Sequence, residues 1–369
     1  MVLINGLSDG QTTERQLITQ IQVRAMHEIQ PFRLPKLVWL AALVACVCCN
    51  ASPLQAATFD WATVGHAGNA ADQDYGYGAY GAVPYEFRIS KYEVTNQQYV
   101  EYLNAVAVDD PNGVFVPEMD NPTSGGITRS GSPGSYSYAV KPGRDNYPMS
   151  NINYAHAARF ANWLHNGQPT GPQGPTTTED GAYVMTGDLV SARAAGASYF
   201  LPSRDEWYKS AYYDPRSAAQ GGPAGDDNYW LYPTRSDSAP IAESPLGGIN
   251  SANYSSGAGF QETEVGAYAD TMSFYGAFDM AGNLWEWNEP ALSGNSSLRG
   301  GSLLDGAGKL AASANPLQPE GTVKGTSPFV GFRVAAAATP VPEPSTVVMA
   351  SLAVLAPLGI GARRKLPRR

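Results

Sequence analysis

The sequence predicts an α+β domain with little regular secondary structure, and three observations lead there. Gly (39), Pro (28) and Tyr (21) are abundant in 369 residues, while charged residues make up only 15%. That mix excludes a charged helical bundle, a coiled coil and an acidic disordered chain. Helix start signals followed by an apolar stripe occur in three places, and the strand candidates between them are short. The length allows one large or two ordinary domains, and no internal repeat of solenoid or propeller length is present.

Taken in order, Thr95-Asn-Gln-Gln98 is a capping box, in which the Thr hydroxyl and the Gln amide satisfy backbone donors at a helix start. Tyr99, Leu103 and Val106 follow it on one face. Asn153 caps a second predicted helix, whose apolar stripe is Ala157, Phe160, Ala161 and Leu164 and which stops at Gly167. Ser203-Arg-Asp-Glu206 is a second capping box, with Trp207, Tyr208 and Ala211 as the buried face. Strands are predicted at Tyr85–Ile89, Tyr183–Met185, Leu298–Leu303 and Gly331–Ala335. Gly/Ser/Pro-rich intervals (Asp109–Tyr147, Gly167–Ala182, Pro215–Asn250) separate the elements, giving one domain over residues 58–338.

The two ends read as addresses. Arg33 and Lys36 precede the apolar run from Leu37 to Cys49, and small residues follow, so residues 1–57 are expected to be a signal-peptide region cut near Ala56 or Ala57. The stretch before Met26 is long for such a signal, which makes Met26 a candidate true start; Leu43-Val-Ala-Cys46 offers lipoprotein processing as the alternative. Cys46, Cys48 and Cys49 all lie here, so the processed chain is expected to hold no thiol. At the far end, Pro342, Glu343 and Pro344 precede an apolar run from Val347 to Ala362 and a basic tail from Arg363 to Arg369. The run is barely long enough to span a bilayer, and the basic tail would stay cytoplasmic. This order over residues 339–369 resembles the PEP-CTERM sorting signal with its single transmembrane helix. The resemblance implies Sec export across the inner membrane, transient anchoring and an exosortase partner. The product would be periplasmic, outer-membrane or extracellular.

The formal net charge is -9, although both ends carry several basic groups, so the body is more acidic than the whole. Such a surface repels phosphate backbones, and no nucleic-acid partner is expected.

Several segments recur in a known order: Arg88-Ile-Ser-Lys-Tyr-Glu-Val-Thr-Asn-Gln-Gln-Tyr99, Tyr147-Pro-Met-Ser-Asn-Ile-Asn153, Phe200-Leu-Pro-Ser-Arg-Asp-Glu-Trp207, Phe278-Asp-Met-Ala-Gly-Asn-Leu-Trp-Glu-Trp287, Arg299-Gly-Gly-Ser302 and Gly331-Phe-Arg333. Together they resemble the formylglycine-generating enzyme, or sulfatase-modifying factor, domain family. The resemblance implies a fold related in its core to C-type lectins and a calcium ion in the loop of residues 279–286. The ion's ligands would be the side chains of Asp279 and Glu286 and the carbonyls of Gly282 and Leu284. Two carboxylates flanking a Gly-containing turn are the hard oxygen ligands that Ca²⁺ prefers; the alternative is a turn capped by Asp279 in which Glu286 pairs with an Arg such as Arg299. A weaker second calcium site is implied at Asn253 and Tyr254, where Ala258 replaces the expected Asp.

The family's copper oxidases convert a sulfatase Cys to formylglycine using two thiols after the Gly-Gly-Ser motif. Here those positions are Asp305 and Leu310, and Gly306 stands where a His is expected; of the active-site region only Trp285 and Ser302 match. Soft thiolates suit Cu(I) and neither replacement substitutes well, so copper is not expected. His66, His156 and His165 offer no replacement cluster, since His156 and His165 fall on opposite faces of one helix and His165 suits the helix dipole. Tyr75, Tyr77, Tyr80, Tyr85, Tyr212, Tyr213, Tyr229, Trp230, Tyr232 and Trp287 are either core packing or an aromatic cleft for sugars or an extended peptide. The expected function is an exported, calcium-stabilised binding or surface-structural module. Two alternatives stay open: a metal-dependent oxidoreductase acting on an exported protein through Asp305 and Ser302, and a lectin-like glycan binder.

Overall fold

The computed structural model describes residues 56–73, 78–289, 297–314 and 326–338. The chain divides into Met1–Leu54 and Gln55–Arg369, and the first unit lies wholly outside the described residues. So do the expected signal segment up to residue 55, the three cysteines, Tyr75, Tyr77, and the sorting segment with Pro342, Glu343 and Pro344. Among the described residues no helix is long and apolar enough to cross a membrane.

The second unit is α+β. In chain order it holds β1 (Trp61–Val64), β2 (Phe87–Ser90), α1 (Asn96–Val106), β3 (Ile127–Ser130), β4 (Ser137–Val140) and α2 (Tyr154–His165). Then come β5 (Met185–Thr186), β6 (Leu189–Val190), β7 (Tyr199–Phe200), α3 (Arg204–Tyr212), β8 (Ile241–Ala242) and β9 (Ser251–Ala252). The last elements are β10 (Trp285–Asn288), β11 (Ser297–Arg299), β12 (Val330–Gly331) and β13 (Ala335–Ala337). The largest sheet has the order β1-β2-β13-β7 and is antiparallel throughout; a three-stranded sheet, β11-β10-β12, carries the functional motifs.

All three helices start at the predicted caps. Thr95, Asn153 and Ser203 each accept a backbone N–H from the third helical residue, and Gln98, His156 and Glu206 return the bond. Their apolar faces meet in an aromatic core, where Phe160 stacks on Tyr99 at 5.8 Å and meets Tyr102 and Phe332 edge-on at 5.3 Å each. Each fully buried side chain of this size stabilises the fold by about 1.5–3 kcal/mol.

The strands depart from prediction at their ends. Leu298–Leu303 shortens to Ser297–Arg299, because Gly300 and Gly301 adopt φ of 96° and 74°, a left-handed backbone that leaves the ladder. Gly331–Ala335 splits into β12 and β13, and Arg333 sits in the break between them. The predicted strand at Tyr183–Met185 moves on to Met185–Thr186, since Asn162 takes the Tyr183 N–H and carbonyl from inside α2. The interval Asp109–Tyr147 is not bare loop: it contains the β3–β4 hairpin, which packs on α1 through bonds between Asn104 and the Tyr138 backbone.

Candidate functional site

On β10, Trp285 and Trp287 point one way while Glu286 and Asn288 point the other, as strand alternation requires. Glu286 is completely buried. Its Oε2 accepts from Arg333 Nε at 2.6 Å and from Trp207 Nε1 at 2.7 Å, and its Oε1 accepts from Arg333 Nη2 at 2.6 Å. The same guanidinium donates to the carbonyls of Ser90, Lys91 and Phe278. Arg333 therefore ties β10, α3, the end of β2 and the start of the 279–286 loop together. The alternative reading, in which Glu286 pairs with an Arg, fits this bond, but with Arg333 rather than Arg299: although Arg299 is the cross-strand neighbour of Glu286, its one hydrogen bond among the described residues is to Ala314 O at 3.1 Å.

The loop before β10 is held by local bonds. Asp279, Gly282 and Asn283 have φ of 57°, 80° and 60°. A Cβ at Gly282 would stand 2.2 Å from Asn253 O, so only glycine fits there. Asp279 accepts the Gly266 N–H at 2.6 Å, while Glu93 accepts from Asn283 Nδ2 at 2.8 Å and from Leu284 N at 3.3 Å. Burial pushes the Asp279 carboxyl up to about 6, with the Glu286 charge adding to it against the pull of the Gly266 N–H and Arg333. Burial first, then the charges of Asp279 and Glu286, pushes Glu93 well above the carboxylate range.

These residues fit calcium only in part. Glu286 already accepts three hydrogen bonds, two at Oε2 and one at Oε1, so a single lone pair of Oε1 is left for a cation. Asp279 has more capacity, and it stands in the wall of a small cavity of about 10 Å³ with Thr234, Ser251 and Tyr268. Glu93 and Glu286 are buried, Asp279 is half-buried beside them, and the three carboxyl groups face one guanidinium; a bound divalent cation would favour their ionised forms. Among the described residues no three His, Cys, Asp or Glu side chains come together closely enough to hold a metal by themselves, so carbonyls would have to complete the shell. At the second implied site, Asn253 Oδ1 is buried without a hydrogen-bond partner, while its Nδ2 donates to Gln261 O and Asn283 Oδ1. Tyr254 O already accepts the Gly257 N–H, and its hydroxyl bonds to Pro240 O. An amide and carbonyls without a carboxylate make a poor calcium site.

At the copper position the structure shows a closed triangle. Asp305 Oδ2 accepts from Ser302 Oγ at 2.6 Å, Ser302 N at 2.9 Å and Trp285 Nε1 at 2.8 Å. The three residues brought together by the motifs are thus bonded to one another. Leu310 is elsewhere in chemistry: it is completely buried in an apolar cluster with Tyr232, Ala252, Tyr254, Ala281 and Ala311. Neither position presents a soft ligand.

The histidines do not converge. His156 lies buried in the α2 cap, and burial followed by the nearby Arg159 charge lowers its pKa to about 4. His165 Nδ1 accepts the Ser198 N–H, which explains its position more directly than the helix dipole. His66 is exposed, beside the Tyr275 hydroxyl. Of the eight of these aromatics that lie among the described residues, Tyr212, Tyr213, Tyr229, Tyr232 and Trp287 are buried packing residues, Tyr80 and Trp230 are half-buried, and Tyr85, at 44%, is exposed.

Tyr85 instead lines an open groove of about 540 Å³ with Phe87, Arg193, Phe200 and Ala337. Beneath it Arg193 bridges two carboxylates, Glu206 at 3.1 Å and Glu289 at 3.2 Å, and the Tyr183 hydroxyl donates to Glu289 at 2.6 Å. Burial, reinforced by Glu206, raises Glu289 to about 7 even against the pull of Arg193. Sequence reasoning missed this network and the Arg333–Glu286 pair. For the pair, the signal was Arg333 itself, a charged residue inside an apolar stretch.

The family model of the sulfatase-modifying factor enzyme 1-like domain matches residues 78–338. The chain belongs to this family. Solved structures similar to this sulfatase-modifying-factor-like chain include Treponema denticola variable protein 1, with 18% identity over 78% of this chain and 98% of that one at a TM-score of 0.48. CarF is similar at 20% identity, 76% and 99% coverage and a TM-score of 0.45, and PvdO from Pseudomonas aeruginosa at 18%, 76% and 92% coverage and 0.39. A search of the curated proteins finds no match to this sequence.

Proposed function

We propose that this sulfatase-modifying-factor-like domain serves as a non-catalytic binding or surface-structural module of an exported protein. The observation that carries the proposal is the Asp305 triangle: the first thiol position is an aspartate whose Oδ2 takes three hydrogen bonds from the two matching active-site residues. A hard, already bonded carboxylate does not hold Cu(I), and a buried Leu310 cannot complete the pair. The scaffold motifs stay intact because they hold the fold: Glu286 and Arg333 bond β10 to the end of β2, and Asn283 bonds to Glu93. Export and exosortase sorting rest on the basic and apolar terminal segments and on Pro342, Glu343 and Pro344.

Calcium belongs to this proposal as a loop clamp. The residues that would hold it are Asp279, the carbonyls of Gly282 and Leu284, and Glu286 through the remaining lone pair of Oε1. When bound, the ion supplies fixed positive charge to a turn whose carboxylates outnumber its guanidinium. Competition with a Cu(I)-specific chromophoric chelator tests the non-catalytic reading. No withdrawal of Cu(I) from the chelator is expected, and stoichiometric withdrawal by the processed protein overturns it.

A further inference from the structure

One face of the β10–β11 ladder carries a set of unsatisfied donors that the fold does not explain. Asn288 and Ser297 are cross-strand partners, and Arg299 lies two residues beyond Ser297, so all three side chains leave the same face, which they share with Glu286, the cross-strand partner of Arg299, whose carboxylate is bonded to Arg333 and Trp207. All three residues are at most 2% exposed. Among the described residues no hydrogen-bond partner meets Asn288 Nδ2 or Oδ1, Ser297 Oγ, or Arg299 Nε and Nη2. Buried polar groups are ordinarily paired, and an unpaired buried charge is the most costly of them.

The remaining contacts of Arg299 hold it in place without neutralising it. Its guanidinium stands 4.8 Å from the ring of Tyr80 and 5.0 Å from that of Tyr208, and Nη1 donates to Ala314 O. Asp205 feels its charge, yet no hydrogen bond joins them; Asp205 accepts the Gly81 N–H instead. Burial lowers the Arg299 pKa, which is what a guanidinium without a counter-ion shows.

The free groups have one chemistry. Nε and Nη2 form the side edge of the guanidinium, the edge that grips two oxygens of one anion in parallel. Ser297 adds a hydroxyl, which can donate or accept, and Asn288 adds an amide N–H₂ donor; Asn288 Oδ1 is the one free group that can only accept. The end of β10 is bonded to Pro202, just ahead of α3, through Glu289 N, so the site also lies by the positive end of that helix.

We propose that Arg299, Ser297 and Asn288 form a binding site for a small tetrahedral oxyanion, either free or as the terminal phosphate or sulfate ester of a larger ligand. The site is separate from the Asp305 triangle and does not depend on the non-catalytic reading.

Titration calorimetry on the full chain tests it, with inorganic phosphate, inorganic sulfate and methyl phosphate as probes and sodium chloride at matched ionic strength as the reference. Saturable one-site binding of at least one probe is expected. Methyl phosphate binding as well as the free anions assigns an ester ligand, and free anions alone assign a free one. Asn288→Asp keeps the shape but adds a negative charge and should weaken binding by about tenfold or more; Ser297→Ala should weaken it by about threefold. Arg299→Lys loses the two-point grip and should lose binding. If that variant does not fold, a wild-type crystal soaked in selenate should show its anomalous peak within hydrogen-bond distance of Arg299 Nε. No saturable binding by the wild type, or equal affinity in the Asn288→Asp and Ser297→Ala variants, overturns the proposal.

Discussion

Glu286 and Arg333 meet side-on, with Nε on Oε2 and Nη2 on Oε1, each at 2.6 Å, and both side chains are fully excluded from solvent. Removing one partner strands the other as an unpaired buried charge. Arg333→Met is expected to cost about 3–5 kcal/mol. The double variant Arg333→Met/Glu286→Gln should recover part of that loss, because no charge is left alone. Urea unfolding of the two variants and the wild type measures both numbers.

The Asp305 triangle predicts a smaller effect. In Asp305→Ala the Ser302 hydroxyl and N–H and the Trp285 indole N–H lose their common acceptor. A cost of about 1–3 kcal/mol is expected, with a shift in Trp fluorescence. Unchanged stability would show that the triangle is incidental to the fold.

Leu310→Ala tests the other thiol position. The side chain is buried in an apolar cluster, so a cavity cost of about 2–4 kcal/mol is expected in denaturant unfolding. A neutral outcome would mean that the position is open to solvent and able to host another group.

Glu289 sets a pH dependence. Its carboxyl is raised from 4.5 to about 7 by burial first and by Glu206 next, so between those values the folded state binds a proton that the unfolded state has released. Stability from this group is fully present below pH 4.5 and is lost as the pH rises through about 7. The loss amounts to about 3 kcal/mol. Glu289→Gln keeps an acceptor for the Tyr183 hydroxyl and should flatten the stability profile between pH 4.5 and 7. A profile as steep as that of the wild type would assign the effect to another group.

Calcium is expected to raise the melting temperature of the wild type and to leave Asp279→Ala unchanged. Equal melting temperatures of the wild type with calcium and with chelator would remove the ion from the account.

Much of the fold could be read from the sequence where the signal is local. Thr95, Asn153 and Ser203 announce their helices because a cap is a short-range bond between residues three apart. Two-residue strands such as β6, β8 and β9 carry no periodicity and escaped, since only their pairing defines them. The same holds for the site. Trp285, Ser302 and Asp305 were marked by motif spacing and do come together. That Glu286 could pair with an Arg was legible, but the example given, Arg299, is its strand neighbour; the partner used, Arg333, lies 47 residues on and approaches through the break between β12 and β13. Asn288, Ser297 and Arg299 share a face that pairing register alone reveals.

Oxygen uptake by the processed protein, supplied with copper and a thiol-containing peptide, tests the central claim most directly. With Asp305 and Leu310 at the thiol positions, consumption should match that of copper and peptide without protein. Peptide-dependent consumption above that level, with one copper retained per chain, would contradict it.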